Sequence, residues 1–418
     1  MKKKLIPFLL SFLVLSGFTF LNIAQSDQQE DPASLADPRI TAPKEVFLVT
    51  PDIHDTEGNP LSDAENTSEL DSPLPDSSFK LIISGDAMSH ENSWRSAQKE
   101  DGSFDYLPQY DGIQHLLNAG DLTLVNLETP ASGEEYGYRG FPKFNAPINL
   151  LETLKNIGVD LVITANNHVL DNGMAGMKSF LDNLDEVGLY HTGAARSEEE
   201  AATPFILNIN GIQTGFASST TLVKMTVPEE YAVPVNKKKV IREKIRSLRE
   251  AGAELIVFHI HWGKEYTESP SQPQMDLYRV LEEEGVDIVI GSHPHRLQPM
   301  EIRPINYEGK VKNQAVIWST ANMSWGGTQR YDYVNTGAVF QIDVERKNGQ
   351  IVIRDMDYDL IYNLNTKTVN GVKFIRLIPE VDAELYRESH PNEYQKMLSE
   401  FEWAHKNLKR SVDVQYSK

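Results

Sequence analysis

The sequence contains no cysteine. A lipid-modified cysteine and a disulfide framework are both excluded, and a metal site could draw only on carboxylate, amide and imidazole donors. Basic residues are also in short supply. The 40 Lys and Arg face 60 Asp and Glu, for a formal charge of −20. That balance argues against general nucleic-acid binding, which needs clustered Lys and Arg to neutralise phosphates, and the acidic surplus serves mainly solubility. Histidine is scarce, at 11 in 418 residues. With 40% hydrophobic residues, the chain has enough apolar surface for one large domain or two ordinary ones.

The basic Met1-Lys2-Lys3-Lys4 is followed by uncharged residues from Leu5 to Ala24. This pattern predicts export, with residues 1–24 acting as a cleaved signal peptide or as a retained membrane anchor. The lysines would stay on the cytoplasmic side, which places the rest at the extracellular face or in the medium. In residues 25–78, thirteen Asp or Glu face only Arg39 and Lys44, with prolines throughout. That composition buries too little apolar surface to offset ordering entropy and predicts a disordered tether.

From Phe79 strands and helices alternate. Lys80–Ser84 reads as a strand, Ala146–Ile157 as a helix stopped by Gly158, and Asp160–Thr164 as a buried strand. Helices are predicted over Ala175–Val187, Lys237–Glu250 and Pro273–Glu284, with strands at Glu254–Phe258, Val286–Ile290 and Ala315–Trp318. Asn210-Gly211 suggests a hairpin turn, and strands flank Lys347-Asn348-Gly349. The alternation predicts a layered α/β or α+β domain with sheet at its centre, over 79–365. A helical extension is expected over 366–418, with Tyr394, Leu398, Phe401 and Leu408 as its apolar stripe and Trp403 off it.

Four segments share one form: a glycine, an apolar strand, then polar residues. They are Gly120 to Glu128, Gly158 to His168, Gly252 to Gly263 and Gly285 to His295. Two share Gly-Val-Asp-(Leu/Ile)-Val-Ile, by duplication or by convergent helix-to-strand grammar. In open α/β sheets the carboxyl ends of strands converge on the ligand crevice. Those ends, with Gly85-Asp86 and His90 on the first strand, supply Asp86, Glu128, Asn167, His168, His259, His261, His293 and His295. Each has a bland reading as turn, cap, packing or surface residue, but all fall at the same end of the same kind of element. As a set they suit Mn, Fe, Zn or a similar divalent ion, and two such ions would share Glu128.

Gly85-Asp86, Asn126-Leu127-Glu128, Ala165-Asn166-Asn167-His168, His261-Trp262-Gly263-Lys264-Glu265-Tyr266 and Gly291-Ser292-His293-Pro294-His295 occur in the order seen in CapA-type proteins. The chain resembles that family, which belongs to poly-gamma-glutamate capsule synthesis and is related to calcineurin-like metallophosphoesterases, from about Phe79 to Asn322. The resemblance implies a four-layer α/β/β/α sandwich with one or two divalent ions. Asp86, Glu128 and His295 would hold one ion, and Glu128, Asn167, His261 and His293 the other, with His168 as general acid or electrostatic stabiliser. His90, Asn126, His259, Trp262, Glu265 and Asn322 are the supporting or pocket residues. The sequence departs from the metallophosphoesterase pattern in lacking a histidine two places after Asp86, which leaves the first ion weakly held, absent or completed by His90. Ser319-Thr320-Ala321-Asn322-Met323 stands where the family commonly shows Ser-Leu-Gly-Asn-Phe. The implied function is synthesis, export or attachment of an anionic surface polymer, by hydrolysis of a phosphoester, amide or ester, or as a non-catalytic component binding metal or polymer beside membrane synthase subunits. A binding protein that uses its histidines only for packing is the remaining reading.

Overall fold

The computed structural model describes residues 46–48, 74–221, 227–327, 331–367 and 373–415, with side chains for all but 46–48, 367, 373 and 374. The expected leader, residues 1–24, and most of the expected tether lie outside the described residues. No helix among the described residues is long and apolar enough to cross a membrane.

Two sheets organise the chain. The first runs, in spatial order, β1 (Val46–Leu48), β6 (Phe205–Ile209), β7 (Ile212–Thr220), β8 (Leu255–His261), β9 (Ile288–Ser292), β11 (Lys310–Thr320) and β10 (Leu297–Tyr307). The second runs β15 (Lys373–Pro379), β14 (Gln350–Lys367), β13 (Thr336–Lys347), β2 (Ser77–Ala87), β3 (Leu122–Leu127), β4 (Leu161–Ile163) and β5 (Tyr190–Thr192), with β12 (Asn322–Ser324) beside β2. Strands β2 to β5 are parallel, as are β7, β8, β9 and β11. The helices are α1 (Glu91–Ala97), α2 (Leu107–Tyr110), α3 (Gln114–Leu117), α4 (Asn149–Asn156), α5 (Gly173–Val187), α6 (Glu198–Ala202), α7 (Lys238–Glu250), α8 (Gln272–Glu283) and α9 (Pro391–Leu408).

Strand alternation divides the apolar side chains into layers. Leu81 and Ile83 of β2 and Leu255 and Val257 of β8 share the core between the sheets. Their neighbours turn outward. Ile82 meets Leu150, Leu154, Phe180 and Leu184 of α4 and α5, while Ile256, Phe258 and Ile260 meet Ile241, Ile245, Tyr278 and Leu281 of α7 and α8. Both sheets are thus covered on both faces, which is why their strands read as apolar runs. The result is the helix, sheet, sheet, helix layering that the resemblance implies. The Asn210-Gly211 and Asn348-Gly349 turns do join antiparallel strands, and all four residues have positive φ.

Three expectations about boundaries are corrected. Val46–Leu48, inside the expected tether, pair with Leu207–Ile209, because even a short apolar segment can satisfy its backbone on an open sheet edge. The division at 365 falls inside β14, and β15 adds a further strand after it, where buried Ile375 and Leu377 stand either side of half-buried Arg376. The C-terminal helix is confined to Pro391–Leu408, where Pro391 supplies its first position. Its inner face is Tyr394, Met397, Phe401, Ala404 and Leu408, whereas Leu398 is 42% exposed. Trp403 stacks on Tyr333 with ring centroids 4.3 Å apart.

Candidate metal centre

The polar strand ends meet at the carboxyl ends of the parallel strands, and the two sheets contribute equally. Asp86 stands on β2, Glu128 follows β3 and Asn167 follows β4. Across from them His261 ends β8, and His293 and His295 follow β9. Two glycines allow the backbones to close here. A Cβ on Gly85 would stand 2.2 Å from the Ala321 carbonyl oxygen, and one on Gly291 would stand 2.1 Å from that of Trp318. His293 and His295 flank Pro294 with φ of 92° and 54°. Left-handed backbone at non-glycine residues stores about 1–3 kcal/mol apiece and persists where the surroundings impose it. The two imidazole centroids are held 5.9 Å apart.

The donor atoms fall into two overlapping groups, each within 4.8 Å, and Glu128 is in both. In one, His261 Nε2 lies 3.0 Å from His293 Nδ1, 3.0 Å from Asn167 Oδ1 and 3.4 Å from Glu128 Oε1. In the other, His295 Nδ1 lies 3.3 Å from Asp86 Oδ2, and His295 Nε2 lies 4.0 Å from Glu128 Oε1. Glu265 forms a third group with His293 and His295, from an exposed position.

Supporting contacts fix these groups. Asn126 Nδ2 donates to Asp86 Oδ1 at 2.7 Å, and Asn166 Nδ2 donates to Asn126 Oδ1 at 3.3 Å and to the Leu127 carbonyl at 2.8 Å. His261 Nδ1 is 2.7 Å from Ser292 Oγ, and His295 Nδ1 is 2.9 Å from Asn322 Oδ1. Hydrogen bonds of this kind orient ligating imidazoles.

The electrostatics fit a cation. Glu128 is fully buried, and neither carboxylate oxygen has a hydrogen-bond partner among the described residues. Burial, and then the negative charge of Asp86, push its pKa well above the carboxylate range. Burial acts the same way on Asp86, but the hydrogen bond and charge of His295 outweigh it and hold Asp86 below the usual range. Burial lowers His261 to about 3 and His293 to about 2, which favours the neutral form of both rings that a metal ion takes. His295 is raised to about 9 by Glu128 and Asp86 against the effect of burial. A buried carboxyl without a hydrogen bond among the described residues, beside two imidazoles kept neutral by burial, is a donor set that a divalent ion would fit.

His168 stands beside this cluster. Its Nδ1 is 2.8 Å from Asp171 Oδ2, and its ring meets Phe144 edge to face at 4.7 Å. Asp171 also accepts from the Phe144 backbone N–H at 2.6 Å.

The other sequence-derived residues divide. Asn126 and Asn322 touch the ligand types directly. His90 joins neither ligand group: its ring packs edge-on against Phe144 and Trp325, with Nε2 buried and without a hydrogen-bond partner among the described residues. His259 lies on the same face as His261 but is walled in, both nitrogens lacking partners among the described residues and its pKa lowered to about 3, chiefly by burial. Trp262 is not a pocket residue. Strand alternation points it away from His261 into the helix-covered core, where it stacks on Trp318 and donates to the Trp318 carbonyl at 3.0 Å. Sequence reasoning missed Asp171, Ser292 and Asn166. Asp171 stands three residues after His168, and the other two sit inside the quoted motifs, but serine and asparagine at strand ends also read as ordinary turn residues.

Residues 80–324 match the family model described as bacterial capsule synthesis protein PGA_cap. The chain is similar to the capsule biosynthesis protein CapA of Bacillus anthracis, with 23% identity over 311 residues covering 68% of this chain and 72% of that protein. It is also similar to the PGA biosynthesis protein CapA of Bacillus subtilis (strain 168), with 27% identity over 253 residues covering 57% of this chain and 61% of that protein. Among solved structures it is similar to the calcineurin-like phosphoesterase YfkN from Bacillus subtilis. That match has 14% identity and a TM-score of 0.43, and covers 78% of this chain and 100% of the other.

Proposed function

The chain belongs to the PGA_cap family of bacterial capsule synthesis proteins, and from that premise we propose that it is an exported, metal-dependent hydrolase. It would act in the synthesis, export or attachment of an anionic surface polymer, at the outer face of the cell membrane. The observation that carries the reading is the pair of buried ligand groups sharing the unpartnered carboxylate of Glu128, with the His168–Asp171 pair beside them. Packing alone gives no reason to bury a carboxylate without a hydrogen bond.

Asp86, Glu128 and His295 would hold one divalent ion, and Glu128, Asn167, His261 and His293 the second. Ions held there supply the Lewis acidity that polarises a phosphoryl or acyl oxygen and lowers the pKa of a water. The chain's own residues do the rest. Asp171 would accept from Nδ1–H of His168 and stabilise the imidazolium, whose Nε2–H is the proton that would be offered to the leaving-group oxygen. Phe144, packed against the ring, limits its rotation.

Metal analysis of the full chain, paired with a phosphodiesterase assay, tests this. Stoichiometric Mn, Fe or Zn and chelator-sensitive hydrolysis are expected, with metal retained but hydrolysis lost in His168→Ala. Absence of stoichiometric metal after supplementation with all three ions would overturn the site. Metal without turnover would leave a binding component of a membrane assembly.

A further inference from the structure

Away from the ligand cluster, a cavity of about 310 Å³ opens between α6, α7 and the strands β5, β6 and β7. Much of its wall is apolar, from Leu189, Phe205, Phe216 and Leu248. Two polar groups in it are unusual. Ser218 is 2% exposed, and its Oγ has no hydrogen-bond partner among the described residues. Lys244, half-buried on α7, donates to the Ala201 carbonyl and has no carboxylate partner among the described residues. Burial accordingly lowers its pKa.

The lining acids Asp185 and Glu200, with Asp182 beside the cavity, share Arg196. Arg196 Nη1 lies 2.6 Å from Asp185 and 2.7 Å from Asp182, and Arg196 Nη2 lies 2.7 Å from Glu200. Asp185 also pairs with His191 at 3.0 Å. Lys244 is the lining cation that makes no ion pair among the described residues, and a half-buried ammonium held only by a carbonyl gains from a carboxylate partner. A volume near the lower end for ligand pockets limits that anion to a small molecule. A single ammonium among apolar walls suits one carboxylate better than a phosphate dianion.

We propose that this cavity is a second binding site, independent of the metal centre, for a small monocarboxylate with an apolar body. Lys244 pairs with the carboxylate, Ser218 supplies a hydrogen bond, and the body lies along Leu189, Phe205, Phe216 and Leu248. Ser218 is the register partner of His259, and His261 is two residues further along β8. The cavity therefore lies roughly 7 Å of strand behind the ligand cluster, and its lining includes none of the proposed metal ligands.

Isothermal titration of the full chain with hexanoate, and separately with the neutral hexanamide, tests the site. Hexanoate should saturate one site per chain, equally with and without chelator, and hexanamide should bind at least about tenfold more weakly. Lys244→Met should weaken hexanoate by about 10- to 100-fold, and Lys244→Arg should restore most of the affinity. Absence of hexanoate binding, equal binding of hexanamide, or loss on chelation would each overturn the proposal. The hexanamide comparison uses the unmodified chain, so it decides the matter even where Lys244→Met fails to fold. Because the readout is independent of metal, failure here leaves the hydrolase reading untouched, and the reverse also holds.

Discussion

Replacing Glu128 with glutamine separates the charge of this residue from its shape. The native carboxyl is fully buried, its oxygens have no hydrogen bond among the described residues, and Asp86 and burial together oppose its ionisation. An unmet buried polar group of this kind costs about 1–3 kcal/mol. Glutamine keeps the volume and removes the ionisable group, so metal-free Glu128→Gln should be at least as stable as the metal-free native chain. Addition of the ion reverses the order. A ligand present at about 100 times its Kd stabilises the folded state by about 2.7 kcal/mol, or roughly 5–10 °C at about 2–4 °C per kcal/mol. The variant should forfeit most of that gain, because the carboxylate shared by both ligand groups is gone. Thermal melting by circular dichroism, with and without Mn, Fe or Zn, measures both halves. An equal metal-induced shift in the two proteins would refute the reasoning, as would a native chain that no ion stabilises.

Asp171→Asn should retain metal but lower kcat toward a phosphodiester by roughly 10²-fold, since the hydrogen bond that fixes the His168 tautomer changes character; parallel metal analysis and kinetics check this. Trp262→Ala empties a fully buried site and should cost about 3–5 kcal/mol in urea unfolding. Glu400 is buried near Thr336 and Lys396, and burial raises its folded pKa above the ordinary 4.5. Its contribution to stability is full below about 4.5 and lost as pH rises through the folded value. Glu400→Gln should therefore gain stability relative to the native chain as pH rises from there, in urea titrations across pH; a constant difference would contradict it. Ending the chain at residue 390 removes Met397, Phe401 and Ala404 from the core between the sheets and should yield insoluble protein in a fractionation assay.

Much of the fold was legible because its strands are buried on both faces and punctuated by glycine. Lys80–Ser84, Glu254–Phe258 and Val286–Ile290 announce themselves as apolar runs, and Gly188 stops α5 in a left-handed cap. The C-terminal part was less legible. Lys373–Pro379 alternates weakly beside charged residues, and its membership of a sheet depends on β14, which no local pattern reveals. For the site, identity and chain order of the ligand types were readable, because histidines recur at successive strand ends in a chain that has only 11 of them. The side each residue faces was harder. Trp262 adjoins His261 in sequence but belongs to another layer, and His90 was aligned with Asp86 by spacing while its ring packs among aromatics. Asp171 escaped notice because an acid three residues after a histidine looks like a helix-entry residue until the imidazole is seen turned toward it.

The ligand cluster draws three residues from each sheet, and those sheets otherwise meet through an apolar interior. An ion gripped by Glu128 and His261 together would act as a rivet across that seam, and its binding strength would gauge the spacing between the sheets. Substitutions deep in the interior, at Ile83, Val257 or Phe340, would then register as altered metal affinity without touching any ligand. Conversely, metal removal would loosen side chains far from the pocket. With such an ion bound, residues that pack the interior and residues that grip the metal would be mechanically joined.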